Sequence, residues 1–270
     1  MSGAAPDVLI ESAGARLSAR VGSGASRLVA VVALLLLWEG VSRGEVVNPN
    51  VFPPVSEIAV RWATLIVTGR IFPPLRDTLG RALAGLAGAL AVGVPLGLLM
   101  GRARWAAWLL EPLFAFGFPL PKIALIPLYV HWFGIFSLSK IMLVFTDCLF
   151  PIVIFTYHGA KGVSPVHLWS AQARGTGRVR LLWRVVLPLS LAAIYDGFQV
   201  ALVVAVLVAV VSEMVSGGGG LGVLMISAYR YGDVRGAFAA LATISLVGYA
   251  LARLAQVLRG RLLHWHTGEA

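Results

Sequence analysis

Four ionisable side chains stand within or at the ends of long apolar runs: Lys122, Asp147, Asp196 and Glu213. A charge at the centre of a lipid bilayer costs roughly 2.5–3.5 kcal/mol on insertion scales, so such residues mark solute paths, ion relays or structural ion pairs. For Asp147 and Lys122 the chemistry would be lining or gating a polar path. The competing readings are an ion pair that only ties helices together, or a lysine reaching for the interface. Asp196 is expected near the cytoplasmic exit, bonded to Gln199 or Tyr195, and Glu213 at the outer end of its span. His131 and Trp132 stand at the outer mouth of the path. No Ser-His-Asp set, carboxylate pair or CxxC spacing is present, so the chain itself should catalyse nothing. His264 and His266 have no companions at metal-ligand spacing, and no metal site is expected. The run Gly217 to Gly220 with Gly222 lacks the Lys-Ser/Thr ending of a phosphate-binding loop and reads as an outer loop. The single cysteine, Cys148, lies in an apolar run and reads as a packing residue.

A second constellation is basic. Residues 169–188, WSAQARGTGRVRLLWRVVLP, carry Arg174, Arg178, Arg180 and Arg184 between two apolar stretches. Four arginines exclude this amphipathic segment from hydrocarbon. It must lie on the side where positive loops are retained, the cytoplasm. A structured helix between spans on that side is where a membrane protein meets a soluble partner. Gly175 permits a sharp turn between two helical pieces, and Pro188 sets the start of the next span.

The elements that hold these residues follow from hydropathy. Of the 270 residues, 59% are hydrophobic and 13% charged, against about a quarter charged in soluble domains. The chain reads as an all-α integral membrane protein, one domain built as a helix bundle in lipid. At about 20 residues per span, six spans fit: about 28–42, 78–101, 108–129, 141–157, 189–212 and 236–258. A cytoplasmic tail (1–27) precedes the spanning domain (28–258), and a basic tail (259–270) follows it. The apolar run starts too late for a cleaved signal peptide. Ser56 to Thr68, with Ser56 as N-cap and an acid in the first turn, reads as a helix lying on the outer interface. Gly85, Gly88, Gly93 and Gly97 give the second span a smooth face for close packing. Pro112, Pro119, Pro121 and Pro127 interrupt the third, which is tolerated where protein or a water-filled path surrounds the backbone. With both termini inside, 13 Lys and Arg fall on the cytoplasmic side and 8 outside, Lys122 being left in a span. The net charge of +10 therefore reflects topology, not nucleic-acid binding, since no basic soluble domain is present.

Gly175, nine residues, then Val185-Val186-Leu187-Pro188 resembles the cytoplasmic-loop signature of binding-protein-dependent permeases, the membrane subunits of type I ABC importers. That signature reads Glu-Ala-Ala, three residues, Gly, nine residues, Ile-x-Leu-Pro. FPPVSEI at 52–58, PLPKIALIPLYVHWFGIFSLSKI at 119–141 and SEMVSGGGGLGVLM at 212–225 are similar to the sulfonate, taurine, nitrate and thiamine-precursor branch. The resemblance covers about residues 28–263. It implies a six-transmembrane-helix permease bundle in a bacterial inner membrane, paired as a homodimer. It also implies two ATPase subunits that bind ATP-Mg on the cytoplasmic side, and an external solute-binding protein. The coupling segment, 165–187, would transmit ATPase motion through Trp169, Ser170, Ala171, Gly175, Arg178, Leu187 and Pro188. One departure stands out: Trp169 occupies the position of the signature's glutamate, which removes a polar anchor. The path would run past Lys122, Trp132, Asp147, Asp196 and Glu213, carrying a small polar or anionic organic solute. The alternative is a secondary transporter or channel driven by an ion gradient, although no inverted repeat is visible in the sequence.

Overall fold

The computed structural model describes residues 29–44, 47–48 and 50–263. The expected tail 1–27, together with His264 and His266, lies outside the described residues. All described regular structure is helical, and the chain divides into two compact units, Met1–Ala63 and Thr64–Ala270.

In the first unit, helix α1 covers 29–43. The Trp38 ring stacks on Phe52 with centroids 4.8 Å apart, and its Nε1 donates to the Pro53 carbonyl at 3.1 Å. Helix α2, Val55–Val67, begins in this unit. Ser56 is not its local N-cap. The helix starts one residue earlier, and the Ser56 N–H donates to Glu39 Oε2 at 3.1 Å while its hydroxyl donates to Oε1 at 2.7 Å. A carboxylate from α1 thus serves the exposed N–H groups, where negative charge is favoured.

The second unit holds the bundle. Helix α3 is Phe72–Arg102, α4 Arg104–Gly117 and α5 Ile126–Phe133, the last preceded by a 3₁₀ turn at Lys122–Leu125. Helix α6 is Ser137–Lys161, and the basic segment follows as α7 Pro165–Ala173, α8 Arg178–Leu181, a π turn Leu182–Val186 and α9 Leu187–Leu189. Then come α10 Leu191–Ser216, α11 Leu221–Arg230 and α12 Val234–Leu262. Helices α3, α6, α10 and α12 are each long and apolar enough to cross a membrane. Helices α3, α6 and α12 extend past their expected limits at both ends, and α10 starts two residues late and runs four residues longer at its C-terminus. Sequence patterns stop where charge begins, whereas α3 continues outward through Pro73 and Pro74, residues suited to a first turn.

The glycine stripe sets the register. A Cβ on Gly85 would come within 2.6 Å of Val144, one on Gly93 within 2.8 Å of Ile152, and one on Gly97 within 2.6 Å of Thr156. Contacts that rise together in number mean that α3 and α6 run parallel, so the chain must return across the bundle between them. The return is α4 and α5, which meet at 90°. The third span is therefore one broken crossing rather than a kinked rod. Its prolines remove the N–H groups that would have carried the helix through residues 118–121. Helix α10 packs antiparallel on α6, with Gly197 against Phe155 and the Cys148 thiol against the Ala201 carbonyl.

Between the glycine run and the last span lies a short helix, α11, not expected from the sequence. At 10 residues, roughly 15 Å, it cannot span.

Candidate functional site

The basic segment folds as two helical pieces about a glycine turn. Pro165 opens α7 in its first turn. Its C-terminus closes as a Schellman motif: the Gly175 N–H donates to the Gln172 carbonyl at 2.8 Å and the Thr176 N–H to the Ala171 carbonyl at 3.2 Å. Gly175 has φ +78°, and no atom lies within 4 Å of where a Cβ would stand. Glycine is therefore required by backbone conformation and not by crowding. Pro188, in the first turn of α9, cannot donate to the turn before it, and the chain widens there into the π turn.

One face of this segment is buried. Leu168, Ala171, Leu181 and Val186 pack with Leu98 of α3 and Ala160 of α6, which ties the segment to the ends of two spanning helices. The other face is open: Val166, Val179 and Trp183 are exposed, and Trp169 is 66% exposed. Of the remaining expected contact residues, Ser170 and Pro188 are exposed and Leu187 half-buried. The backbone of Arg178 begins α8, and its side chain lies outside the described residues.

Halfway along the bundle, Lys122 and Asp147 meet. Asp147 is the eleventh residue of α6, about 15 Å from its start at 1.5 Å per residue. Lys122 sits in the 3₁₀ turn at the break and is 7% exposed. Its ammonium lies 3.3 Å from Asp147 Oδ1, donates to the carbonyls of Phe118 at 3.1 Å and Leu120 at 3.5 Å, and stands 4.3 Å over the Phe150 ring. The neighbouring Thr146 hydroxyl accepts from the Tyr129 hydroxyl at 2.7 Å. The geometry brings together two residues that the sequence offered separately.

Glu213 is enclosed by a different network. Its carboxylate is 0% exposed. It accepts from Arg81 Nη1 at 2.7 Å, from the Thr78 hydroxyl at 2.8 Å and from the Gly222 N–H at 3.1 Å. Arg81 also donates to the carbonyls of Gly218 at 2.7 Å and Gly219 at 2.8 Å. The glycine loop is thus held to α3, and the first N–H groups of α11 are satisfied by Thr78 and Glu213. Four successive positive φ values, from +71° at Gly217 to +107° at Gly220, explain why these positions are glycine. Arg81 and Lys140, counted by charge pattern among the outer residues, are both buried. A helical projection carries the missed signal: Arg81 lies four positions before Gly85, on the packing face of α3.

The expected partners of Asp196 are corrected. It pairs with Arg259 of α12 at 2.9 Å rather than with Gln199 or Tyr195, and the Tyr195 hydroxyl donates instead to the Ala255 carbonyl. Proximity within one helix suggested the first two, and a tertiary contact between α10 and α12 supplies the third. Trp132 is an exposed residue of α5. Trp132 packs on Tyr129, Asp196 pairs with Arg259 and Glu213 with Arg81, so among the described residues these three lie in contacts separate from the Lys122–Asp147 pair. Among the described residues no His, Cys, Asp and Glu group could hold a metal ion.

A parallel pair of spans joined by a broken crossing, with an anchored helical segment at one end, is the architecture of a multi-pass membrane protein. Residues 93–264 match the family described as the binding-protein-dependent transport system inner membrane component, and the chain belongs to that family. It is 29% identical over 238 residues to the taurine transport system permease protein TauC of Escherichia coli, covering 86% of each chain. It is 30% identical over 237 residues to the riboflavin transport system permease protein RibX of Chloroflexus aurantiacus, covering 88% of each. Among solved structures, an inward-facing conformation of the MetNI methionine ABC transporter matches with TM-score 0.62 at 17% identity, covering 71% of this chain and 95% of that one. That likeness concerns the fold. The chain is an ABC transporter permease subunit, and ATP hydrolysis belongs to a separate partner subunit.

Proposed function

We propose that this chain forms a homodimeric membrane path through which an ATP-driven importer moves a small polar or anionic organic solute, delivered by an external solute-binding protein. In this reading α1 completes six spans, both termini face the cytoplasm, and the membrane is a bacterial inner membrane. The spanning domain covers 28–258, between a tail at 1–27 and another at 259–270. Two ATPase subunits, each holding ATP-Mg, dock on segment 165–187 through Trp169, Ser170, Gly175, Arg178, Leu187 and Pro188, while Ala171, expected at the same contact, is buried on the anchoring face and acts through it. Solute passes along the dimer axis past Lys122, Trp132, Asp147, Asp196 and Glu213, and this chain binds no cofactor.

The observation that carries this reading is the two-faced basic segment. Leu168, Ala171, Leu181 and Val186 fasten it to α3 and α6, while Val166, Trp169, Val179 and Trp183 are left open. A part gripped on one face and pushed on the other transmits displacement to both spans. The similarity to a taurine permease supports a sulfonate-like solute, and the similarity to a riboflavin permease keeps larger polar organic molecules in the class.

The test is reconstitution in liposomes with the cognate ATPase and receptor subunits. Uptake should require ATP, receptor and ATPase together. Uptake by the permease alone, driven by an ion gradient, would overturn the reading. So would cysteine labelling that reached residue 175 only from outside the cell.

A further inference from the structure

Among the described residues, two ion pairs lie inside the spanning bundle, and they differ in how fully they are satisfied. Arg81 and Glu213 meet at 2.7 Å, and Glu213 has two further donors and no exposure. A ligand has no place to enter there. Lys122 and Asp147 are 3.3 Å apart, and no other hydrogen-bond donor reaches Asp147 among the described residues. The carboxylate is 20% exposed. The other contacts of Lys122 are two backbone carbonyls and the Phe150 ring. These are neutral partners, each weaker for an ammonium than a second anion would be.

Position adds to the argument. The break at residues 118–121 brings non-helical backbone to the level of Asp147, halfway along α6. Irregular backbone at that depth is tolerated where it is buried in protein or lines a cavity. Discontinuous helices near the midplane recur where transporters hold their solutes. Phe118, which lies over the ammonium at 5.9 Å, is itself an exposed residue, so the lysine is covered on that side by a single ring rather than by packed helix.

We propose that Lys122 is the countercharge for an anionic group of the solute, a sulfonate or carboxylate, and that Asp147 is the internal anion that occupies it between solutes. This deepens the importer reading and rests on it. When solute arrives, its anion replaces Asp147 at the ammonium and the released carboxylate turns to water on its exposed side. The lysine is never left without an anion, which avoids the cost of an unpaired charge at mid-membrane. Departure of the solute restores the internal pair, and binding is therefore weak enough to permit release.

The test uses the purified permease with its ATPase subunits, and thermal stabilisation by methanesulfonate with dimethyl sulfone as the neutral control. Asp147→Asn removes the competing anion, so its half-saturating methanesulfonate concentration should fall at least tenfold below wild type. Lys122→Gln should show no stabilisation, and dimethyl sulfone should stabilise none of the three. Equal stabilisation of Lys122→Gln and Asp147→Asn would overturn the proposal. An Asp147→Asn complex with no gain over wild type would overturn it alone, even if Lys122→Gln failed to assemble. Because this readout needs neither ATP nor receptor, it is independent of whether ATP-driven uptake is found. In uptake itself, the swap Lys122→Asp with Asp147→Lys should restore assembly without transport. Recovery of both would make the pair purely structural.

Discussion

Arg81 and Glu213, 132 positions apart, meet at 2.7 Å inside the bundle and together fix the glycine loop that joins α10 to α11. The guanidinium reaches one carboxylate and two carbonyls at once, which a planar five-donor fork can do and a lysine ammonium on a flexible stem does poorly. Breaking a buried pair leaves an uncompensated charge, at a cost of about 3–5 kcal/mol. Glu213→Gln and Arg81→Ala should each lower the melting temperature of the detergent-solubilised subunit by several degrees or abolish folding. Arg81→Lys should fall between them and wild type. A Glu213→Gln protein with an unchanged melt would show that the network does not hold the loop.

Gly175 gives a prediction with its own internal control. Its surroundings are empty and its φ is +78°, so substitutions are penalised by backbone conformation alone, by roughly 1–2 kcal/mol for an ordinary residue. Gly175→Asn should be tolerated, since asparagine visits this region readily. Gly175→Val should disturb the turn between α7 and α8 while α3, α6 and α10 still insert and pack. Uptake per ATP hydrolysed should drop severalfold for valine and little for asparagine. Equal ratios for the two variants would place the turn elsewhere than in the coupling path.

How much of this could be read from sequence differs between elements. The long spans were legible because 18 or more apolar residues admit few alternatives, and the glycines of α3 announced a close neighbour without naming α6. The basic segment was legible through its arginines and the spacing from Gly175 to Pro188. The partner of Asp147 was not, because Lys122 reaches it only through a 90° break whose angle no periodicity encodes. The burial of Arg81 and Lys140 was hidden for a related reason: a charge near the end of a span looks like a loop charge until a neighbouring helix covers it. Helix α11 was hidden by its glycine-rich approach, since its first N–H groups are satisfied by Thr78 and Glu213 from other helices instead of by a local cap.

The parallel α3–α6 contact leaves little room along its glycine stripe. A methyl group on Gly97 would stand 2.6 Å from Thr156 Cβ and 2.9 Å from the Val153 carbonyl, the latter a backbone atom that cannot turn aside. Overpacking of this kind costs about 1–3 kcal/mol. Gly97→Ala should therefore lower the melting temperature measurably, whereas Gly80→Ala, with no atom within 4 Å of its Cβ position, should leave it unchanged or raise it slightly by favouring helix. Equal melts for the two variants would refute the register of α3 on α6.

Trp169 stands where the related signature has a glutamate, and it is 66% exposed on the open face of α7. An indole held in water by this chain alone is a candidate for burial in a partner, and tryptophan is among the residues that dominate interface energies, often by 2 kcal/mol or more. Trp169→Ala should leave the melt of the isolated subunit unchanged, because little is lost inside the chain. It should weaken binding of the ATPase subunit at least tenfold, measured with the permease in nanodiscs. Trp169→Phe should retain most of the affinity. If apolar burial is what this position contributes, Trp169→Glu should bind as poorly as alanine despite restoring the acid. Binding by Trp169→Glu as tight as or tighter than wild type would mean that the docking groove still wants a carboxylate, and that the exposed face of α7 meets its partner through polar contacts instead.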